Sequence, residues 1–126
     1  MPQDESLYHK FPDHSVVLEP NSNRVRVRFN GEVVADSTRS LTVRETKHAP
    51  VLYLPKGDLE ARFFEPTDHE TFCPFKGRAS YWNLCVGDRT EANVVWGYPD
   101  PFDEVAALSE YVAFYADRVE WQHGDS

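Results

Sequence analysis

The stretch from Arg24 to Ala35 leaves the chain few choices. Val25, Val27 and Phe29 alternate with Arg24, Arg26 and Arg28, and Asn30-Gly31 then leads into Val33-Val34-Ala35. Strict alternation marks a strand with one buried face. Asn-Gly between two such runs favours a two-residue primed turn, because both residues tolerate positive φ. The segment predicts a β-hairpin with its arginine face outward.

The same pattern recurs along the chain. Ser15–Glu19 reads as a short strand, ended by the turn cluster Pro20–Asn23. Leu41, Val43 and Glu45 share one face of another. Val51–Leu54 is an apolar run closed by Pro55 and a Lys56-Gly57-Asp58 turn. Leu59, Ala61 and Phe63 alternate with Glu60 and Arg62, and Pro66–Glu70 reads as a polar loop. Gly77–Val86 predicts a long strand, turned at Gly87-Asp88 onto Asn93–Tyr98. One short helix is expected near the C-terminus, capped by Asp100 with Pro101 at its first position and Asp103 and Glu104 in its first turn. Tyr111–Tyr115 is too aromatic for a helix and fits a strand, and Arg118–Trp121 finishes the sheet. The fold class is therefore mainly β: a single compact domain over 15–122, made as a twisted sheet pair or small barrel. Residues 1–14 read as a flexible arm on which Tyr8 and Phe11 offer docking groups, and 123–126 as a frayed tail.

Composition narrows the function classes. The 126 residues suit one domain, and a domain of this size buries roughly two-thirds of its unfolded surface. A net charge of −8 argues against a nucleic-acid partner, since phosphate binding needs a basic surface. Two cysteines are too few for a disulfide scaffold. No signal peptide is evident, and the uncharged run Tyr111–Ala116 is far too short for a membrane span. The expected setting is cytoplasmic, with reduced thiols and no membrane partner.

No nucleotide fingerprint, Walker loop, GxSxG elbow or HExxH motif is present. Cys73 and Cys85 stand alone rather than as a CxxC pair. His69 lies four residues before Cys73 and His48 is elsewhere, so nothing fixes a metal geometry and no cofactor is expected. Glu45 is more informative. On a core-facing position its carboxyl is costly to bury, and burial would raise its pKa. The plain alternative is a strand that ends at Arg44 with Glu45 solvated. Thr71–Gly77 is the densest constellation: Lys76 offers a cation beside Gly77, which permits close approach of a ligand, and Cys73 is a nucleophile only if Lys76 lowers its pKa. The plain alternative is a tight turn with Cys73 packed and Lys76 exposed. Tyr53 and Tyr81 fall in strands, where most aromatics are simply core; Tyr81 shares a face with Ala79, Asn83 and Cys85, a mixture that suits a pocket wall.

Several segments taken together carry a resemblance. They are Asn30–Ser37, Glu45-Thr46, Tyr53-Leu54-Pro55 with Asp58, Thr71–Gly77 with Ala79 and Tyr81-Trp82, Trp96–Pro101, and Ala113-Phe114-Tyr115. In this order they resemble the bacterial and fungal family called domain of unknown function 427, from about Arg24 to Trp121. The resemblance implies a compact, mainly β domain similar in architecture to the β-tent folds, several of which hold zinc on paired cysteines; this chain lacks such pairs. A nucleotidyltransferase-like label has been attached to the family. Nothing in these residues supports it, because phosphoryl transfer needs clustered acidic ligands and a phosphate cradle. The family supplies no catalytic residues to carry over. The shared pattern is densest at Glu45, Tyr53, Cys73, Lys76, Gly77 and Tyr81.

Three functional readings follow. The first is a pocket for a small polar or anionic ligand, with Lys76 as anchor, Glu45 as a polar partner and the tyrosines stacking. The second is an enzyme that uses Glu45 as general acid or base in that pocket. The third is an interaction or self-association module, acting through a sheet edge or through Tyr8 and Phe11.

Overall fold

The hairpin forms where the sequence places it. A computed structural model describes residues 6–124. In it Asn30 and Gly31 have φ of 50° and 84°, the pair of left-handed conformations that a two-residue primed turn needs. The turn joins β2 (Val25–Phe29) to β3 (Glu32–Ser37). Val25, Val27 and Phe29 are buried, and the opposite face holds Arg24 and Arg26 against Asp36 at 2.7 and 3.3 Å.

The remaining strands are β1 (Val16–Asn21), β4 (Ser40–Glu45), β5 (Val51–Pro55), β6 (Phe64–Cys73), β7 (Gly77–Val86), β8 (Arg89–Gly97), β9 (Tyr111–Phe114) and β10 (Glu120–His123). Seven of them form one antiparallel sheet in the order β1-β4-β5-β9-β8-β7-β6. The other sheet has the order β10-β2-β3. Among the described residues β1 and β6 are unpaired outer edges, so the architecture is a sheet pair and the barrel alternative is set aside.

Both faces of the large sheet are covered. On one face Leu54, Leu84, Val95, Val112 and Phe114 meet Val25, Val27, Phe29 and Val34 of the small sheet. On the other, Leu41, Val43, Tyr53, Tyr81, Tyr98 and Ala113 pack with Val105 and Leu108. This double burial explains why β9 is a continuous apolar run rather than an alternating one.

Four expectations need correction. The short helix expected near the C-terminus is present over Asp103–Glu110, in 3₁₀ form and interrupted at Val105; its start is what differs. Its two fully buried residues, Val105 and Leu108, are three apart and eclipse on a 3₁₀ turn. Asp100 does not cap it: Phe102 occupies that position, and the Phe102 amide donates to the Lys76 carbonyl at 3.0 Å. The alternation at Leu59–Phe63 is not a strand. Leu59 forms one isolated bridge with Ala35, and Ala61–Phe63 is a single 3₁₀ turn that buries Phe63. Pro66–Glu70 is not a loop but the irregular middle of β6, where the register with β7 shifts. An edge strand tolerates Pro66 because its missing N–H costs no ladder bond on the open side. Finally, the last strand joins β2 in the small sheet and runs to His123, one residue into the expected tail; residues 125–126, like 1–5 of the arm, lie outside the described residues.

Gly97 marks where the sheet is tightest. A Cβ there would sit 2.9 Å from the Tyr111 carbonyl and 3.3 Å from Val112 Cγ1, both on the paired β9 strand. Gly97→Ala therefore overpacks the β8–β9 seam. It is expected to destabilise the domain by about 1–3 kcal/mol, read as a lower urea midpoint at unchanged slope.

Candidate functional site

One end of the large sheet's second face carries the only fully inward lysine among the described residues. Parity along β4 directs Glu45 to the side of Leu41 and Val43, and the strand runs to Glu45 itself. Across from it, β6 turns into β7 through Pro74-Phe75-Lys76, closed by the Lys76 amide donating to the Cys73 carbonyl at 3.2 Å. Gly77 follows with φ 122°. A Cβ at Gly77 would lie 3.3 Å from the Asp100 carbonyl, so both the backbone angle and the close approach require glycine. This turn aims Lys76 Nζ at Glu45 Oε1, where the two form an ion pair with side chains only 8% and 11% exposed.

The other carboxylate oxygen is also engaged. His14 Nε2 donates to Glu45 Oε2 at 2.9 Å, and His48 Nε2 lies 3.9 Å from the same atom. The His14 ring stacks on Phe75 with centroids 3.7 Å apart. Residues 7–14 are held on the same turn: the Leu7 amide donates to the Pro74 carbonyl at 3.0 Å, and the Tyr8 hydroxyl donates to the Phe75 carbonyl at 2.6 Å. Burial, then the negative groups around it, push the Tyr8 phenol up to about 12.

Beside the ion pair opens a cavity of about 660 Å³. Val43, Val51, Tyr53, Cys73, Phe75, Trp96 and Tyr98 supply its walls along with the charged groups. The cross-strand row Leu41–Tyr53–Ala113–Trp96 brings Tyr53 and Trp96 together, and the Trp96 Nε1–H donates to the Tyr53 hydroxyl at 3.3 Å. Burial raises the pKa of both Tyr53 and Tyr98, so both hydroxyls keep their protons at neutral pH.

The structure brings together Glu45, Tyr53, Cys73 and Lys76 on this cavity. Gly77 and Tyr81 do not line it. Gly77 borders a second depression with Asp100 and Phe102. Tyr81 lies one strand beyond Trp96, its hydroxyl 2.9 Å from Thr71 Oγ1 and its ring packed edge-on against His69. Cys73 and Cys85 are unpaired. Cys73 faces Gly77, eight residues before Cys85 on β7, which puts the thiols roughly 25 Å apart. Sequence reasoning placed His14 in an arm and weighed His48 only as a metal ligand. Among the described residues no group of three His, Cys, Asp or Glu side chains is disposed to hold a metal ion. Trp96 and Tyr98 share a face in the sequence, but only the strand register shows that this is also the face of Tyr53.

The expected sign of the Glu45 shift is reversed. Burial does push its carboxyl up, but the hydrogen bond and charge of Lys76, with His14 and His48 behind them, hold it below the usual range. Glu45 is therefore a carboxylate at neutral pH and a poor proton donor, whereas the acid–base reading asked for a raised pKa.

The fold and site define a small two-sheet β domain with a charged pair set in an aromatic cup. The sequence profile described as Domain of unknown function (DUF427) matches residues 17–123, and the chain belongs to that family. No curated protein matches the chain closely enough to count as a relative. His14 precedes the matched range.

The pair's energetics can be tested directly. Lys76→Met leaves Glu45 without its cation and should destabilise the protein at pH 7 by a few kcal/mol, below the ~3–5 kcal/mol of a fully enclosed pair because the cavity is open. The Glu45→Gln/Lys76→Met double variant should recover most of the loss. A depressed folded pKa stabilises above the unfolded value and is lost as pH falls through the folded one. The difference between wild type and Lys76→Met, followed by urea denaturation, should thus hold at neutral pH and shrink below the ordinary carboxyl pKa of 4.5.

Proposed function

We propose that this protein binds a small polar or anionic molecule in the cavity bounded by Glu45, Tyr53 and Lys76. The observation that carries the reading is the position of the ion pair: nearly withdrawn from solvent, yet on the wall of an open cavity rather than inside either core cluster. A buried ion pair adds little net stability over apolar side chains of similar size, so packing alone is a weak reason for it. A concave, mostly apolar site with a few convergent polar groups is the usual form of a small-molecule pocket. Lys76 anchors a negative group, Glu45 accepts from a ligand hydroxyl or amine, and Tyr53, Phe75 and Trp96 offer ring faces and edges.

The excess of acidic residues favours a small ligand over a nucleic acid. The two free, distant thiols favour a reducing, cytoplasmic setting. Among the described residues no helix is long and apolar enough to cross a membrane.

The test is a thermal-shift panel of nucleotides, sugar phosphates and organic acids, with each variant compared against its own unliganded state. A ligand at a hundred times its dissociation constant should add about 2.7 kcal/mol to the wild type and nothing to Lys76→Met. Shifts that survive in Lys76→Met, or no shift with any compound, would remove the pocket reading and turn attention to the sheet edges as interaction surfaces.

A further inference from the structure

The cavity does not end at the aromatic wall. Val51 and Trp96 also line an adjoining groove of about 370 Å³ between the start of β5 and the end of β9. Its other walls are Leu52, Phe114, Tyr115 and Trp121, with Pro50 at one end. His123 is the single ionisable group there apart from the Tyr115 phenol. The Trp96 ring is the ridge between the two spaces, 6.3 Å from the Tyr53 ring on one side and 4.8 Å from the Tyr115 ring on the other. Tyr115 is 46% exposed, bare aromatic surface directly after the buried Phe114.

The two spaces differ in chemistry. The cavity end holds one carboxylate, Glu45, against Lys76, His14 and His48. If Lys76 is shared with an incoming anion, Glu45 still has His14 hydrogen-bonded to its second oxygen, so the carboxylate keeps a partner. The groove has no lysine, arginine or carboxylate on its walls, only His123 and the Tyr115 hydroxyl among apolar side chains that suit a chain or ring. Each volume by itself falls within the roughly 300–1,000 Å³ typical of ligand sites.

We propose that the ligand is a free, single-chain amphiphilic anion: a carboxylate or phosphate head at Lys76, and an unbranched or aryl body laid across Trp96 into the groove of Leu52, Phe114 and Trp121. This rests on the cavity reading above and extends it to a ligand class. The occupant is one molecule rather than a second copy of the chain, because the groove shares Val51 and Trp96 with the charged cavity, and a flat apolar interface would have no use for a charged pair on the other side of that ring.

The experiment uses linear carboxylates from acetate to decanoate, kept below micelle formation, with affinity read by tryptophan fluorescence and calorimetry on the full chain. Affinity should rise about fourfold per methylene once the chain passes Trp96, then level off when the groove is full. Ala116→Trp, at an exposed position on the groove wall, should move the plateau to shorter chains while leaving the shortest binders unchanged. Tyr115→Ser should flatten the slope without unfolding the protein. Lys76→Met should weaken every length alike. Binding of short carboxylates with no dependence on length, or a slope untouched by Ala116→Trp and Tyr115→Ser, would overturn the extension and leave the cavity standing. No binding at any length would also overturn the extension, and the cavity reading would then stand or fall on the thermal-shift panel above. Sedimentation equilibrium provides the remaining arm: a dimer broken by Ala116→Trp would assign the groove to a second copy and also overturn the proposal.

Discussion

The bridge between Lys76 and Glu45 is the point from which one end of the molecule hangs. It ties the last residue of β4 to the turn between β6 and β7, with the three strands β5, β9 and β8 between β4 and that hairpin in the sheet order. The same turn receives everything nearby. The Lys76 carbonyl accepts from Phe102, the Pro74 and Phe75 carbonyls accept from Leu7 and Tyr8, and the Phe75 ring carries His14. Cys73 pairs with Gly77 at the base of the turn and Glu45 pairs with Val16, but no strand pairing joins the turn to the end of β4; the bridge does. A charged pair suits such a task better than an apolar contact because it is directional: only one placement of the Lys76 side chain satisfies the carboxylate.

That directionality also decides the electrostatics. Considered alone, a carboxyl on the core-facing side of β4 should be hard to ionise. The opposite outcome arises because desolvation is outweighed by the one group the local sequence does not reveal, a lysine 31 residues away. Desolvation can be anticipated from a strand's parity, whereas a compensating charge depends on tertiary contact. The plain alternatives weighed for this pair were a solvated Glu45 and an exposed Lys76. Both fail for the same reason: each residue is withdrawn from water by the other.

What was legible in the sequence follows the range of the physics involved. The Asn30-Gly31 hairpin, β7 with its stated limits and β9 rest on local chemistry, and they form as expected. The failures lie where a tertiary bond replaced a local one. Asp100 and Pro101 have good helix-start chemistry, but the amide that would be capped is taken by the Lys76 carbonyl, and the burial of Val105 and Leu108 draws the segment into a 3₁₀ path. Pro66–Glu70 has loop composition, yet an open sheet edge accepts it as strand. The site divides in the same way. Four of its residues were legible, Glu45 and Tyr53 from their strands and Cys73 and Lys76 from a dense turn. Tyr81 was misplaced by a single strand. Its parity is right, but distance along the sheet, which parity does not report, puts it past Trp96.

His14 shows how a site can be assembled from parts of different standing. The family match starts at residue 17, and everything that makes the cup and the ion pair lies within it. His14 lies before it, delivered by a segment that touches the matched domain chiefly through the Phe75 turn and the β1–β4 end, where Ser15 and Thr46 exchange hydrogen bonds. The carboxylate therefore has Lys76, with His48 at 3.9 Å, from within the matched range and His14 from before it. Lys76 sets its charge and position; His14 closes the second oxygen and covers Phe75. Since the histidine's hold consists of one hydrogen bond and one ring stack, its removal exposes Glu45 Oε2 to the cavity without disturbing the bridge at Oε1. A ligand donor competing for Oε2 thus meets the weaker of the two restraints, and the N-terminal segment, rather than the sheet, sets how open the polar end of the cavity is.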